Sequence, residues 1–254
     1  MKLLLPITVV LLLFSFTLPA QNAYDSNGKR TGPWKGYYND TTLRYEAIFR
    51  NGKPVGQMRR YDPNGNLTVT MDYYSGTDRC FTRMYDANGS VRAEGVYDNR
   101  EKDSTWIYMD RNGTVTMKEQ YHKGVLTGTT ETYYPSGKRA QQLHYDSGEK
   151  HGPWVRFFEN GDTMLKAHYV GGMLHGEYLS LYPGGKVQIA GTYHLDLKDG
   201  DWNYYSEEGD SVTVLKYDKG KVLNPEVMEK QVDQFLRMIE ENEGTIPDPA
   251  LPDR

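Results

Sequence analysis

The chain has a single cysteine, Cys80, among its 254 residues. One thiol cannot close an internal disulfide, so no covalent staple holds this fold. Phenylalanine is scarce, at 7 residues, against 21 tyrosines and 26 glycines. That balance suits half-exposed strands and tight turns better than a thick, dry core. A basic excess is missing too. Setting Lys2 aside with the N-terminal leader leaves 29 basic side chains (30 − 1) against 34 acidic ones, a net charge of −5. This balance argues against nucleic acid as the main partner. The sequence contains no Gly-x-Ser-x-Gly elbow, no His-Glu-x-x-His and no phosphate-cradling Gly-x-x-x-x-Gly-Lys-Ser/Thr run. Its carboxylates sit in turns (Asp62, Asp86, Asp110, Glu159) without a recurring convergent pair. A non-enzymatic protein without a cofactor is expected.

One apolar run exists, and it lies at the start. Met1-Lys2 gives a positive charge, Leu3 to Leu18 is apolar apart from Pro6, Thr8, Ser15 and Thr17, and Pro19-Ala20-Gln21 closes it with a small residue. This is the layout of a secretory signal peptide over 1–20, too short for a confident membrane span. A cut after Ala23 is a second acceptable position. The expectation is an exported chain, periplasmic or extracellular, with no membrane span after cleavage.

What remains is periodic. With Gly32 as position zero and a step of 24, the first position reads Gly32, Gly56, Cys80, Ser104, Gly128, Gly152, Gly176, Gly200. Two residues on stand Trp34, Met58, Thr82, Trp106, Thr130, Trp154, Tyr178 and Trp202. Position +9 is glycine in all units but the first, which has Thr41. Position +17 is aromatic throughout: Phe49, Tyr73, Tyr97, Tyr121, Tyr145, Tyr169, Tyr193, Tyr217. Position +20 is glycine except at Arg100 and Asp196. Eight aromatics in eight units, with no insertion, establish an internal repeat.

Each unit reads as a hairpin. A short first strand, as in 152–158, runs to a turn such as Pro63-Asn64-Gly65 or Glu159-Asn160-Gly161, where Asn-Gly suits a type I′ turn. The second strand alternates: Leu67, Val69, Met71 and Tyr73 share one parity, and Thr68, Thr70 and Asp72 the other. A period of two with one wet face is what an antiparallel sheet requires.

The Gly-x-Trp-x-x-Tyr/Phe core (Gly152-Pro153-Trp154 with Phe157; Gly200-Asp201-Trp202 with Tyr205), the Asn-Gly turn and the closing Tyr and Gly resemble the MORN family. The likeness is to its variant repeats in exported bacterial proteins, some catalogued as antitoxin-like. It covers about residues 29 to 220, and the third unit departs most, with Cys80, Thr82 and Arg100. The resemblance implies an elongated, single-layer antiparallel meander used for tethering or protein contact, without catalytic residues. At about 4.8 Å per strand, sixteen strands would make a rod roughly 70 Å long. A four-bladed propeller of 48-residue blades uses the same hairpins and is the alternative fold. A sixteen-stranded outer-membrane barrel is disfavoured, because its strands need about 9 to 11 residues with a lipid-facing band.

The expected organisation is a leader over 1–20, the repeat domain over 21–223, a capping helix over 224–243 and a tail over 244–254. Asn224 reads as N-cap and Pro225 as N1, and Met228, Val232, Phe235, Leu236 and Ile239 share a helical face. Histidines recur in repeat phase. His144 and His168 are expected roughly 10 Å apart, too far for one metal, and a third ligand is missing. No metal site is expected. Asn39, Asn66, Asn88 and Asn112 match the glycosylation sequon but are read as turn residues, and Cys80 as a small residue in the glycine slot. The aromatic columns form the candidate interaction face: Trp34, Trp106, Trp154, Tyr178, Trp202, Tyr73, Tyr97, Tyr121, Tyr145, Tyr169, Tyr193 and Tyr217. The expected partner is another protein or a second copy. A glycan stacked on the aromatic ladder is the alternative.

Overall fold

A computed structural model describes residues 21–39 and 41–230, together with 233 and 237. Two compact units divide the chain after Asp78. The first contains β1 (Ala23–Tyr24), β2 (Arg30–Tyr37), β3 (Leu43–Arg50), β4 (Lys53–Tyr61) and β5 (Leu67–Tyr73). The second opens with β6 (Cys80–Tyr85), β7 (Val91–Asp98), β8 (Glu101–Met109), β9 (Val115–His122), β10 (Val125–Tyr133), β11 (Arg139–Asp146) and β12 (Glu149–Phe157). It continues with β13 (Thr163–Val170), β14 (Met173–Leu174), β15 (Gly176–Leu181), β16 (Val187–His194), β17 (Leu197–Tyr205), β18 (Ser211–Asp218) and β19 (Lys221–Val222). Each unit is an antiparallel meander with strands paired in chain order. In the second unit the ladder runs unbroken from β6 to β19. A propeller would interrupt it after each four-stranded blade, so the open meander is the fold.

The first strand of each repeat is longer than the sequence pattern indicates, because pairing starts before position zero. β12 spans 9 residues, beginning at Glu149. Between the pairs Tyr145↔Lys150 and Leu143↔Trp154, β11 advances 2 residues (145 − 143) and β12 advances 4 (154 − 150). The same excess recurs in β4 against β3, β8 against β7 and β17 against β16. Two extra residues are absorbed at a bulge centred on the repeat glycine, whose φ is positive (Gly56 66°, Gly152 90°, Gly200 70°). An even insertion preserves parity, so positions −2 and +2 keep facing the same side.

The two kinds of turn exchange their expected chemistry. At Asn64-Gly65 only the glycine has positive φ, and Gly65 N–H donates to Asp62 O at 3.0 Å. This is a type I turn followed by a left-handed glycine, not a type I′ turn. The Asp62 carboxylate accepts from Asn64 N and Asn66 N, both at 2.9 Å, and Asp86 and Asp110 repeat the device. The turn carboxylates therefore shape turns. The type I′ geometry sits in the narrow turns between repeats, where both central residues have positive φ: Asn51-Gly52, Asn99-Arg100, Lys123-Gly124, Ser147-Gly148, Gly171-Gly172, Leu195-Asp196 and Lys219-Gly220. Each of five glycines there, such as Gly172 toward Lys150 O at 2.9 Å, donates its N–H to the carbonyl at position −2 of its own repeat, stitching turn to strand.

Asparagine side chains stand in for missing strand residues at two places. In the first unit, Asn22 Oδ1 accepts from Lys35 N at 2.8 Å and its Nδ2 donates to Lys35 O at 3.0 Å. In the second, Asn224 Oδ1 accepts from Lys216 N and its Nδ2 donates to Val214 O, at 2.8 and 2.9 Å. The Asn224 side chain is thus engaged by the sheet edge, not by a helix N-terminus; only its carbonyl meets Val227 N, at 3.2 Å. A helix does begin at Pro225, with Met228 exposed. Val232, Phe235, Leu236 and Ile239, and the proposed leader and tail, lie outside the described residues.

Arg100 adopts φ 71° at a position that is glycine in most repeats. A side chain in that region costs of order 1–2 kcal/mol, so Arg100→Gly is expected to stabilise the protein by about 0.5–1 kcal/mol. Urea unfolding of the two proteins checks this.

Candidate functional site

On sequence grounds alone the aromatic columns are the candidate interaction face, and the bulge decides their fate. Because it keeps parity, the residue at +2 lies on the inner face of its strand, over position +15 of the preceding repeat. Where that position is glycine, an indole fits flat against the backbone. A Cβ at Gly95 would collide with the Trp106 ring, and one at Gly191 with the Trp202 ring. Trp106 is 0% exposed and Trp202 1%. Their indole N–H groups donate to Val96 O at 3.0 Å and Thr192 O at 3.1 Å. Tyr97 and Tyr193 meet them edge-on, each with ring centres 4.9 Å apart.

A cation covers the rings from position −2. Lys102 Nζ lies 4.9 Å from the Trp106 ring centre and 4.8 Å from that of Tyr121, and Lys198 Nζ lies 4.2 Å from Trp202 and 5.1 Å from Tyr217. In the first unit Arg30 does the same over Trp34 and Phe49. The sequence contains this signal. Position −2 is Arg30, Lys102, Lys150 and Lys198 in the four Trp repeats, and Pro54, Asp78, Leu126 and Leu174 in the others. The indole and its cation come as a pair.

Trp34, Trp106, Trp202 and Tyr169 are buried, so these members of the expected interaction face belong to the packing. Tyr73, Tyr97, Tyr121, Tyr145, Tyr178, Tyr193 and Tyr217 are half-buried. Trp154 also stays half-buried, because Leu143, not glycine, lies opposite it; its Nε1 donates to Gln141 Oε1 at 3.0 Å. In the first unit an open groove is lined by Pro33, Trp34, Ala47, Ile48, Glu46 and Arg59, among others.

Polar groups line the column as well. Tyr108 and Tyr121 hydroxyls both donate to Glu119 Oε2, at 2.6 and 2.8 Å, and Lys102 Nζ donates to Tyr108 OH at 2.6 Å. Burial, then the Glu119 carboxylate, push the Tyr121 phenol up to about 12 and the Tyr108 phenol well above its ordinary value. Glu131 is held below the usual carboxylate range, first by the Tyr133 hydroxyl and then by Arg139. These shifts arise from burial and structural hydrogen bonds, and no cluster of three or more His, Cys, Asp or Glu able to hold a metal occurs among the described residues.

Two histidine pairs stand closer than the repeat phase suggests. His151 and His168 have ring centres 6.4 Å apart, and His175 and His194 5.1 Å apart, whereas His144 lies beside Thr129 and Gly152. The phase count missed this because in β15–β16 position −1 falls opposite +18, one step beyond the pair Gly176↔Tyr193.

With this geometry in hand, the comparison with known families is direct. Residues 54–74, 126–147, 150–170 and 174–194 match the family model described as MORN repeat variant. These four stretches are MORN-variant repeats. Every matched stretch starts at or next to position −2 and ends past the closing aromatic, so the family's unit coincides with one bulged strand and its return. MORN repeats are generally protein- or membrane-binding modules and a non-catalytic family. No curated protein matches this sequence. Among solved structures, the crystal structure of the GtfA/B complex bound to UDP and GlcNAc matches 47% of this chain and 24% of that one, at 12% identity and a TM-score of 0.22. The chain thus spans about a quarter of that protein. A likeness so slight carries no argument here.

Two outcomes follow from the MORN column. Gly191→Ala is expected to force Trp202 off its seat and to cost about 1–3 kcal/mol, with a red-shifted tryptophan emission. A raised tyrosine pKa means that the neutral phenol stabilises the fold. That contribution is complete below about pH 10, the unfolded value, and is lost as pH rises through the folded value. The urea midpoint should therefore fall from about pH 10 upward. Glu119→Gln should flatten that fall, followed by phenolate absorbance at 295 nm.

Proposed function

We propose that this MORN-variant chain is exported and works as a non-enzymatic scaffold that binds a protein partner along the narrow-turn edge of its second unit. One observation carries the reading. Eight large apolar side chains stay exposed in that unit, and five of them, Val125, Val170, Met173, Leu195 and Leu197, flank or occupy narrow turns. Val125 lies against the neighbouring turn glycine Gly148, and Leu197 against Gly220, so each of these two side chains reaches the next narrow turn along the same edge. Exposed apolar groups that gather on one edge mark contact sites. Trp154 and Tyr178, the most accessible of the +2 aromatics in this unit, belong to the proposed contact set.

Export is supported by the charged start, apolar run and small-residue stop of residues 1–20. The glycan reading loses its main support, since a sugar ring stacks on an open aromatic face and Trp34, Trp106 and Trp202 offer none.

The test is crosslinking of the exported chain in the cells that make it, comparing wild type with Val170→Asp/Leu197→Asp. One saturable protein partner, recovered with wild type and lost with the variant at unchanged circular dichroism, is expected. Equal recovery from both would refute the edge. Self-crosslinks alone would indicate a structural assembly, and co-purified glycan a sugar-binding module. Full-length chain retained inside the cell would refute export.

A further inference from the structure

We propose that His175 and His194 form a two-point chelate for a divalent transition-metal ion such as Zn²⁺. The inference is independent of the partner reading above. The two residues face each other across β15 and β16, one step beyond the paired Gly176 and Tyr193. Their ring centres are 5.1 Å apart with planes tilted by 55°. Two imidazoles sharing a tetrahedral ion, with metal–nitrogen bonds of about 2.1 Å, place their ring centres about 5 Å apart. The other close histidine pair, His151 and His168, stands at 6.4 Å, which would require the rings on nearly opposite sides of the ion.

A second observation sets His175 apart. Its Nδ1 is buried and has no hydrogen-bond partner, and an orphaned buried nitrogen is rare enough to call for a ligand. The backbone around the pair is already fixed. His175 N–H donates to His168 O at 2.9 Å. The narrow turn that follows His194 is clamped to the residue before His175: Leu174 N–H donates to Asp196 Oδ1 at 2.7 Å, and Asp196 N–H to Leu174 O at 2.8 Å. A chelate built on clamped strands loses little entropy on binding. Imidazole suits zinc, copper and nickel, and no third protein ligand joins the pair among the described residues, so solvent completes the shell. The site is accordingly a modest binder, and its occupancy depends on free metal.

Calorimetric titration of the untagged exported chain with ZnCl₂ tests this, using His194→Ala, His175→Ala and His151→Ala. One equivalent is expected, with Kd raised at least tenfold in the first two variants and unchanged in the third. Zn²⁺ should also raise the Tm of wild type and not of His194→Ala. His194 is exposed, so this variant remains informative if His175→Ala fails to fold. Equal affinity in all four proteins, or no binding by wild type, would overturn the proposal.

Discussion

Everything in this fold depends on how each repeat hides two surplus residues. The repeat's first strand must pair with its own return strand and with the return strand of the repeat before it, and the two ladders differ in length by two residues. A left-handed backbone at position zero takes up the difference. Glycine does so without strain, and Ser104 shows that another residue can be held there, at φ 61°. Had the surplus been one residue, the indole at +2 and the cation at −2 would face opposite sides.

From that constraint the aromatic column follows. An indole with no second layer above it is sealed by what one sheet can supply: a glycine below, a tyrosine edge beside it, a carbonyl for its N–H and a cationic stem above. Trp106 and Trp202 have all four. Trp154 lacks the glycine and remains half-exposed. An indole that is core in one repeat therefore stays half-exposed in another, and for Trp106, Trp154 and Trp202 the neighbour at +15 decides which.

Much of this was legible in the sequence. The 24-residue period located the hairpins, because the turn glycines and closing aromatics recur without insertion. The alternation of Leu67, Val69, Met71 and Tyr73 indicated an antiparallel sheet, but not which face is wet: the one buried residue of that strand is Thr70, of the opposite parity. Three things escaped. Asn-Gly does not distinguish a type I′ turn from a type I turn with a left-handed glycine, since both place glycine at the same step; Asp62 two residues before Asn64 was the discriminating sign. Burial of the tryptophans escaped because single-layer sheets suggest exposure, and the coupling of Gly95 to Trp106 spans a strand. The pairing of His175 with His194 escaped because their repeat phases differ while the register joins them.

The buried tryptophans are the largest side chains sealed within the sheet's packing, and unfolding of Trp106→Ala tests their weight in it most directly. Deleting a fully buried indole should cost about 3–5 kcal/mol, seen as a large fall in the urea midpoint at unchanged slope. A midpoint within experimental error of wild type would show that the indole supports nothing, and would return the column to the role of a binding face.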